Sequence, residues 1–305
     1  MTWQPIVGIF GSAACASTRQ RDPGFQMPAP LITLITDFGT RDPYVGAMKG
    51  VIAGIAPKCR VIDITHQVPP FNIQHAAYVL RSIWPWYPPG TIHVAVVDPG
   101  VGSDRDIVLA GYAGRYVLAP DNGLITMVHR DYPIDELYVV ENRSFFIPQP
   151  SATFHGRDIF SPVAAHLANG VKPSRFGRAA DHVEVLSLEL KGTVTNDGVT
   201  GRIIYQDRFG NLVTNIGRDD LGPICRRPEN TEVFIDDASV GPLRCAYHEV
   251  APGEPLALIG SLGFLEISVN QGNAAERFSV SESTQVQVRA MPNSGRAKFH
   301  FAQQS

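Results

Sequence analysis

The chain has 305 residues, enough for one large or two medium domains, and 44% of them are hydrophobic against 18% that are charged. This composition excludes a disordered protein and is typical of a globular one. The formal net charge is −3 and there is no run of Lys or Arg. The sequence therefore predicts no nucleic-acid partner, because phosphate binding requires a concentrated positive surface.

The four cysteines are far apart and form no CxxC pair, which argues against a zinc site or a redox dithiol. Free thiols, and the lack of about 20 consecutive apolar residues, predict a cytoplasmic protein that makes no membrane contact. Residues 1–30 are predicted to be a disordered extension, unless the true start of the protein is Met27. Cys15 after Ser12-Ala13-Ala14 leaves a lipoprotein signal, and so export, as an alternative.

The first half of the chain alternates apolar, β-branched runs with amphipathic stretches. Strands are predicted at Leu31–Thr36, Arg60–Thr65 and Thr91–Val97. One helix is predicted from Asp42 as N-cap, with Pro43 at its first position, to Pro57. A second begins after the N-cap Asn72 and stops at Pro85.

Single helices between these strands predict an α/β domain over residues 31–180 with a mostly parallel sheet. In such sheets, ligands bind beyond the carboxyl ends of the strands. Asp37 and Asp98 both follow strand ends. They are the first pointer to a site.

After about residue 185 the chain contains short strand-like runs punctuated by Gly, Pro and Asn, with no helical period. The runs are Gly201 to Tyr205, Glu232 to Asp236, Leu256 to Ile259, Phe264 to Val269 and Val286 to Val288. They predict a smaller all-β, barrel-like domain over residues 190–292. Arg178 to Leu190 is the predicted linker, and residues 293–305 form a tail.

Two motifs in the α/β domain hold candidate carboxylates. In Thr36-Asp37-Phe38-Gly39-Thr40, the side chain of Asp37 can accept two hydrogen bonds from a ribose diol, or it can simply cap a turn. In Asp98-Pro99-Gly100-Val101-Gly102, the turn can fold Arg105 back toward Asp98. An ordinary surface ion pair is the alternative for this second motif.

Two further motifs offer an imidazole and a nucleoside-binding segment. His155 precedes a helix predicted from Ile159 to Leu167, and the dipole of this helix favours a neutral imidazole ring. A histidine that only donates a hydrogen bond to a buried backbone carbonyl fits the sequence equally well. In the β domain, Phe209 offers a stacking face and Asn211 offers the donor and acceptor that an adenine edge requires. A plain turn explains the same letters around Asp207.

Other chemistries lack their motifs. None of the nine histidines forms an HxH or HExxH pattern, so the sequence predicts no metal. There is no GxGxxG after the first strand, no P-loop and no G-x-S-x-G motif. The sequence therefore predicts no bound cofactor and no serine nucleophile.

Five motifs in fixed order resemble one family, the S-adenosylmethionine hydroxide adenosyltransferases, which are hydrolytic relatives of fluorinases and chlorinases. They are TDFGTRDPYVGAMKG, VVDPGVG followed by Arg105, APDNG at Ala119 to Gly123, TFHGRDIF, and DRFGN. The resemblance runs from about Leu31 to Val288. It implies that S-adenosylmethionine is cleaved by water at the ribose 5′ carbon to adenosine and methionine. It also implies a homotrimer with sites between the α/β domain of one subunit and the β domain of its neighbour.

The resemblance also implies a role for each matching residue. Asp98, Arg105 and His155 match the set that handles the attacking water, with Arg105 stabilising the developing hydroxide. Asp37 matches the carboxylate that binds the ribose diol. The other implied substrate-binding residues are Asp42 for the methionine amine, Phe71 beside the substrate, Asp207, Phe209 and Asn211 for the nucleoside, and Ser261, Glu266, Val269 and Asn270 around methionine and the adenine edge.

Halogenating relatives carry Tyr at the positions of Asp98 and His155, and Ser at the position of Gly156. A carboxylate beside a halide would repel it, whereas a water molecule gains from hydrogen-bond acceptors. Hydrolysis is therefore expected over 5′-halogenation. A non-catalytic sensor of adenosine or S-adenosylmethionine, built from the same binding residues, remains the alternative.

Overall fold

The computed structural model describes residues 29–186, 191–195, 198–222, 230–281 and 284–291. Most of the predicted N-terminal extension with Cys15, the end of the predicted linker, Cys225 and the predicted tail lie outside these residues. No helix within the described ranges combines the length and apolarity needed to span a membrane.

The N-terminal domain is built on a six-stranded sheet with the order β2-β1-β3-β5-β4-β6. Its strands are β1 (Leu31–Thr36), β2 (Arg60–Thr65), β3 (Ile92–Val96), β4 (Ile107–Tyr112), β5 (Arg115–Pro120) and β6 (Ile134–Val139). Strands β2, β1, β3 and β5 are parallel, and β4 and β6 form the antiparallel edge. The predicted mostly parallel α/β domain is confirmed.

Helices cover both faces of this sheet, which is why every residue of β1 is buried. They are α1 (Tyr44–Ile55), α2 (Ile73–Ile83) with a 3₁₀ turn at Trp84–Trp86, α3 (Thr126–Asp131) and α4 (Ser161–Ala168), which continues a π-helical turn at Gly156–Phe160. Helices α1 and α4 pack on one face. Helices α2 and α3 pack on the other.

The two predicted helix caps have different outcomes. Asn72 caps α2 as predicted, since its side chain accepts the His75 N–H at 2.8 Å. The prediction that Asp42 caps α1 is wrong. The Pro43 carbonyl accepts the Ala47 N–H at 2.9 Å, which makes Pro43 the cap residue and leaves Asp42 outside the helix.

The C-terminal domain is a nearly closed, barrel-shaped sheet with the order β11-β10-β15-β8-β9-β14-β13-β12, and β7 pairs with β8. Its strands are β7 (Thr193–Val194), β8 (Gly198–Gln206), β9 (Leu212–Gly217), β10 (Thr231–Ile235), β11 (Ala238–Gly241), β12 (Leu243–Arg244), β13 (Pro255–Ile259), β14 (Phe264–Val269) and β15 (Gln285–Ala290). Two short helices, α5 (Arg218–Leu221) and α6 (Ala274–Phe278), accompany them. The predicted barrel-like fold is confirmed.

The two domains meet through an aromatic cluster. The rings of Tyr78 on α2 and Tyr205 on β8 stack with centroids 4.2 Å apart, and Phe264 packs beside them. The guanidinium of Arg81 lies 4.6 Å from the centre of the Phe264 ring. In the predicted linker, Val183 is buried in the core beneath α2 and α3, so this part of the chain packs on the α/β domain.

We predict that Phe264→Ala lowers the free energy of unfolding by about 3 kcal/mol, because it opens a cavity in the buried cluster at the domain junction. Chemical denaturation measures the change. Phe234→Ala is the matched control, since its ring also faces a guanidinium, that of Arg289 at 4.7 Å, but is only half-buried. We expect a loss of about 1 kcal/mol there. Equal losses in the two variants would contradict the packing assigned to Phe264.

Candidate active site

A buried ion pair lies beyond the carboxyl end of β3. The chain turns after Asp98, where the Val101 N–H donates to the Asp98 carbonyl at 3.3 Å. The turn brings Arg105 back so that its Nε donates to Asp98 Oδ1 at 2.6 Å and its Nη2 contacts Oδ2. The side chains are only 11% (Arg105) and 5% (Asp98) exposed. This is a bidentate, charge-assisted and largely buried pair, not a surface ion pair.

The turn packs directly against the segment that carries the imidazole. Gly102 has a φ of +82°, and a Cβ there would lie 2.5 Å from the carbonyl oxygen of Ala152. Glycine is therefore required at position 102 for both its backbone conformation and the close approach.

His155 completes the set from the N-terminal end of the π-helical turn. Its Nδ1 lies 3.2 Å from Arg105 Nη2. Because a guanidinium can only donate, Nδ1 accepts, and the neutral ring carries its proton on Nε2. Burial, and then the charge of Arg105, lower the pKa of His155. The lowered pKa favours the neutral imidazole that the sequence predicts, through burial and the charge of Arg105.

Asp98 and His155 face one cavity of about 630 Å³, and Asp37 and Phe71 line it with them. This volume is in the range of small-molecule sites. Arg105 is not among the lining residues, so it holds Asp98 and His155 from behind.

Asp37 and Phe71, which line the same cavity, are joined to each other. The Phe71 N–H donates to Asp37 Oδ2 at 2.9 Å. Phe71 adopts a left-handed backbone with a φ of 65°, and its ring is 67% exposed. A non-glycine residue held in this conformation is typical of functional loops. Asp42, in contrast, is exposed and does not line the cavity.

The cavity has walls that the sequence reasoning did not single out. Phe38, Tyr44 and Phe154 form an edge-to-face aromatic group with centroids 5.2–5.9 Å apart. Arg157 lies over the ring of Phe154 and pairs with the buried Asp158, Nε to Oδ1 at 2.6 Å. All of these residues belong to the TDFGTRDPYVG and TFHGRDIF motifs, so membership of these motifs is the sequence feature that could have identified them.

The nucleoside-binding candidates of the β domain lie outside this cavity. The carboxylate of Asp207 organises its own loop, accepting the N–H groups of Phe209 and Asn211 and the Asn211 side-chain amide at 2.8–2.9 Å. The ring of Phe209 is 74% exposed. Asp207 lines a larger cleft between the domains, which it shares with Phe71.

The other β-domain candidates are also outside the cavity of Asp98. Glu266 accepts the Tyr247 hydroxyl at 2.5 Å and the Ser268 hydroxyl at 2.8 Å, and burial together with Glu266 raises the pKa of Tyr247 to about 12. Asn270 donates its amide to the Val250 carbonyl at 2.8 Å. Val269 is buried and Ser261 is exposed.

Nothing in the described ranges resembles a metal centre, since no three His, Cys, Asp or Glu side chains cluster there. The cavity therefore offers a carboxylate and a neutral imidazole, held by one guanidinium, for proton and water chemistry. The fold and this site define a two-domain small-molecule enzyme.

Comparison with known proteins gives the family. The sequence matches the SAM hydroxide adenosyltransferase N-terminal domain over residues 32–177 and the C-terminal domain over residues 201–287. The chain belongs to this family.

Several relatives align over nearly their full length. The (R)-S-adenosyl-L-methionine hydrolase of Thermus thermophilus is 37% identical over 84% of this chain and 98% of its own. The enzyme of the same name from Methanocaldococcus jannaschii is 36% identical over 85% and 95%. A fluorinase from Actinopolyspora mzabensis is more distant, at 26% over 85% and 97%. The crystal structure of an uncharacterized conserved protein from Thermotoga maritima superposes with a TM-score of 0.80, at 39% identity, covering 85% of this chain and 99% of that one.

We predict that His155 titrates below the usual histidine pKa of about 6.5, and that Arg105→Gln raises its pKa toward that value. Because the pKa of His155 is lowered only in the folded state, the unfolded chain binds a proton at this ring first as the pH falls. The stability that the neutral ring contributes is therefore lost as the pH falls from about 6.5 toward the folded-state pKa. NMR titration of the histidine ring signals measures both effects. His166, whose pKa is lowered by burial alone, is the internal control. An unchanged His155 pKa in the variant would contradict the contact with Arg105.

Proposed function

We propose that this chain hydrolyses S-adenosylmethionine at the ribose 5′ carbon, giving adenosine and L-methionine. The observation that carries the proposal is the pair Asp98 and His155, which face one cavity and are held by a single guanidinium. The relatives at 35–37% identity are named (R)-S-adenosyl-L-methionine hydrolases. We therefore propose the R configuration at the sulfonium of the substrate.

The geometry supports a specific arrangement of the attacking water. The water donates a hydrogen bond to the Asp98 carboxylate and accepts one from His155 Nε2–H, which leaves a lone pair for the 5′ carbon. As the oxygen–carbon bond forms, the carbon–sulfur bond breaks and its electron pair goes to sulfur. Asp98 accepts the proton and later releases it to solvent. Methionine leaves as a neutral thioether and needs no general acid.

Arg105 has a different part in this proposal from the one expected from sequence. Its donors contact Asp98, His155 and the Asp106 carbonyl, and it does not line the cavity, so it fixes the two groups that contact the water. Such orientation supplies much of the acceleration in a displacement with one small nucleophile. In the same cavity, Asp37 binds the ribose diol and Phe71 lies beside the substrate.

Halogenation is the activity of the more distant relatives named fluorinases. The cavity argues against it here, because the Asp98 carboxylate would repel a halide ion in the place of the attacking water. Hydrolysis gains from the same carboxylate, which accepts a proton of the water. A sensor function would use the same cavity without turnover.

We further propose a homotrimer in which the β domain of a neighbouring subunit completes each site. Within one chain, none of the β-domain candidates lines the cavity of Asp98. Phe209 and Phe71 nevertheless present exposed rings that a neighbour can cover. The neighbour would supply the loop of Asp207 with Phe209 and Asn211, and the segment with Ser261, Glu266, Val269 and Asn270. Asp42 would bind the methionine amine.

The free thiols of Cys59 and Cys245 support a cytoplasmic location.

We predict that the purified protein releases adenosine and methionine from S-adenosylmethionine, and that it does so faster from the R epimer. Asp98→Ala or His155→Ala should each lower turnover by at least about 100-fold. Chromatography of the products measures this. In oxygen-18 water the label should enter adenosine, because water attacks the ribose carbon.

Asp131→Ala is the matched control, because it removes a carboxylate paired with Arg81 in the same domain, away from the cavity. Near-wild-type adenosine release by both site variants would remove the proposed roles. Recovery of unchanged substrate with the wild-type protein would favour the sensor, and 5′-halo-adenosine in the presence of chloride or fluoride would favour a halogenase.

We predict that two inactive variants, His155→Ala and Asn211→Ala, regain activity when they are unfolded together and refolded as mixed oligomers. Each mixed trimer then contains one junction with an intact α/β domain facing an intact β domain, so random mixing restores about a quarter of wild-type turnover. Sedimentation measures the oligomeric state of each sample. A monomer, or a mixture as inactive as its parts, would rule out sites shared between subunits.

A further inference from the structure

The segment Ala119 to Gly123, APDNG, has no part in the chemistry described so far. Its first two residues end β5, the strand that pairs with β3 inside the sheet, and its last three follow that strand. The backbone pairing of these two strands runs from Ile92 with Tyr116 to Val94 with Leu118, short of the residues that precede Asp98.

The side chain of Asn122 continues this connection. Its Nδ2 donates to the carbonyl of Val97 at 2.9 Å, and its Oδ1 accepts the N–H of Leu124 at 3.2 Å. Val97 is fully buried and directly precedes Asp98. The amide of Asn122 thus joins the turn after β5 to the last residue before the catalytic carboxylate.

The neighbouring residue holds the other end of the same loop. The Asp121 N–H donates to the carbonyl of Asp106 at 2.9 Å, and Asp106 directly follows Arg105. Arg105 Nη1 also donates to this carbonyl, at 3.4 Å. One short turn therefore contacts both ends of the loop 98–105, whose first and last residues form the buried ion pair.

We propose that Asn122 is a positioning residue, which fixes the Asp98 carboxylate relative to Arg105 and His155 by holding the Val97 carbonyl. The inference rests on the proposed hydrolysis and adds to it a residue outside the cavity. Displacement of a catalytic group by about 1 Å can cost about 100-fold in rate, so one hydrogen bond at this place has a large effect. The cavity lining itself does not include Asn122, so substrate binding depends little on it.

Asn122→Asp tests the proposal, because it keeps the shape of the side chain and the acceptor for Leu124 while removing the donor to Val97. The chain offers a matched control in Asn142. Its Nδ2 donates to the Arg175 carbonyl at 2.8 Å and its Oδ1 accepts the Ser144 N–H at 3.2 Å, the same pair of bonds away from the site. We expect Asn122→Asp to lower kcat by about 10- to 100-fold with KM nearly unchanged. Asn142→Asp should retain wild-type kcat.

An uncharged pair of variants separates the lost donor from the added charge. Asn122→Leu removes both hydrogen bonds without a new carboxylate, so it should lose at least as much kcat as Asn122→Asp, while Asn142→Leu should not. Thermal unfolding of all four variants gives the folded fraction, to which each kcat is referred.

Wild-type kcat in folded Asn122→Asp, or equal losses in the Asn122 and Asn142 variants, would overturn the proposal. If the wild-type protein releases no adenosine, the proposed hydrolysis fails separately, and crystal structures of the wild type and Asn122→Asp then carry the test. A shifted Asp98–Arg105 contact in the variant would support the positioning role, and an unmoved contact would overturn it.

Discussion

The site depends on one guanidinium that is shared between a carboxylate and an imidazole. Arg105 holds Asp98 through two donors and reaches His155 Nδ1 with one of them. Removing it would leave a buried carboxylate unpaired, which costs far more than the loss of a surface ion pair. Together with burial, the same contact lowers the pKa of His155 and keeps the ring neutral, and it fixes which ring nitrogen carries the proton. The tautomer of the imidazole and the geometry of both groups therefore follow from a single residue that lies behind the cavity wall.

The fold explains how three distant stretches of sequence reach this site. Parallel strands present their carboxyl ends at one edge of the sheet, so the segments after β1 and β3 meet there. Asp37 comes from the first of these segments, and Asp98 and Arg105 come from the second. The π-helical turn before α4 brings His155 to the same edge. The β domain is attached through Tyr78, Tyr205 and Phe264, and none of its described residues lines the cavity of Asp98.

Much of the fold could be predicted from the sequence, because the patterns that identify its strands and helices are local. Apolar runs predicted β1, β2 and β3, and Asn72 predicted the start of α2. Strand β9 was missed, since its buried Thr214 and Asn215 break the apolar pattern and donate hydrogen bonds to the carbonyls of Leu265 and Lys191, which are distant in sequence. The position of Arg105 behind the cavity depends on side-chain direction, which no spacing encodes. Arg157 and Tyr44 were visible only as letters within motifs.

The close approach at Gly102 has a consequence for how this protein can change over time. The backbone after Asp98 and the backbone before His155 touch there with no room for a methyl group. Any larger residue would wedge the carboxylate and imidazole segments apart, although position 102 itself takes no part in chemistry. Substitution of this glycine is thus excluded by lack of space alone, although the residue contacts neither the substrate nor the transferred proton.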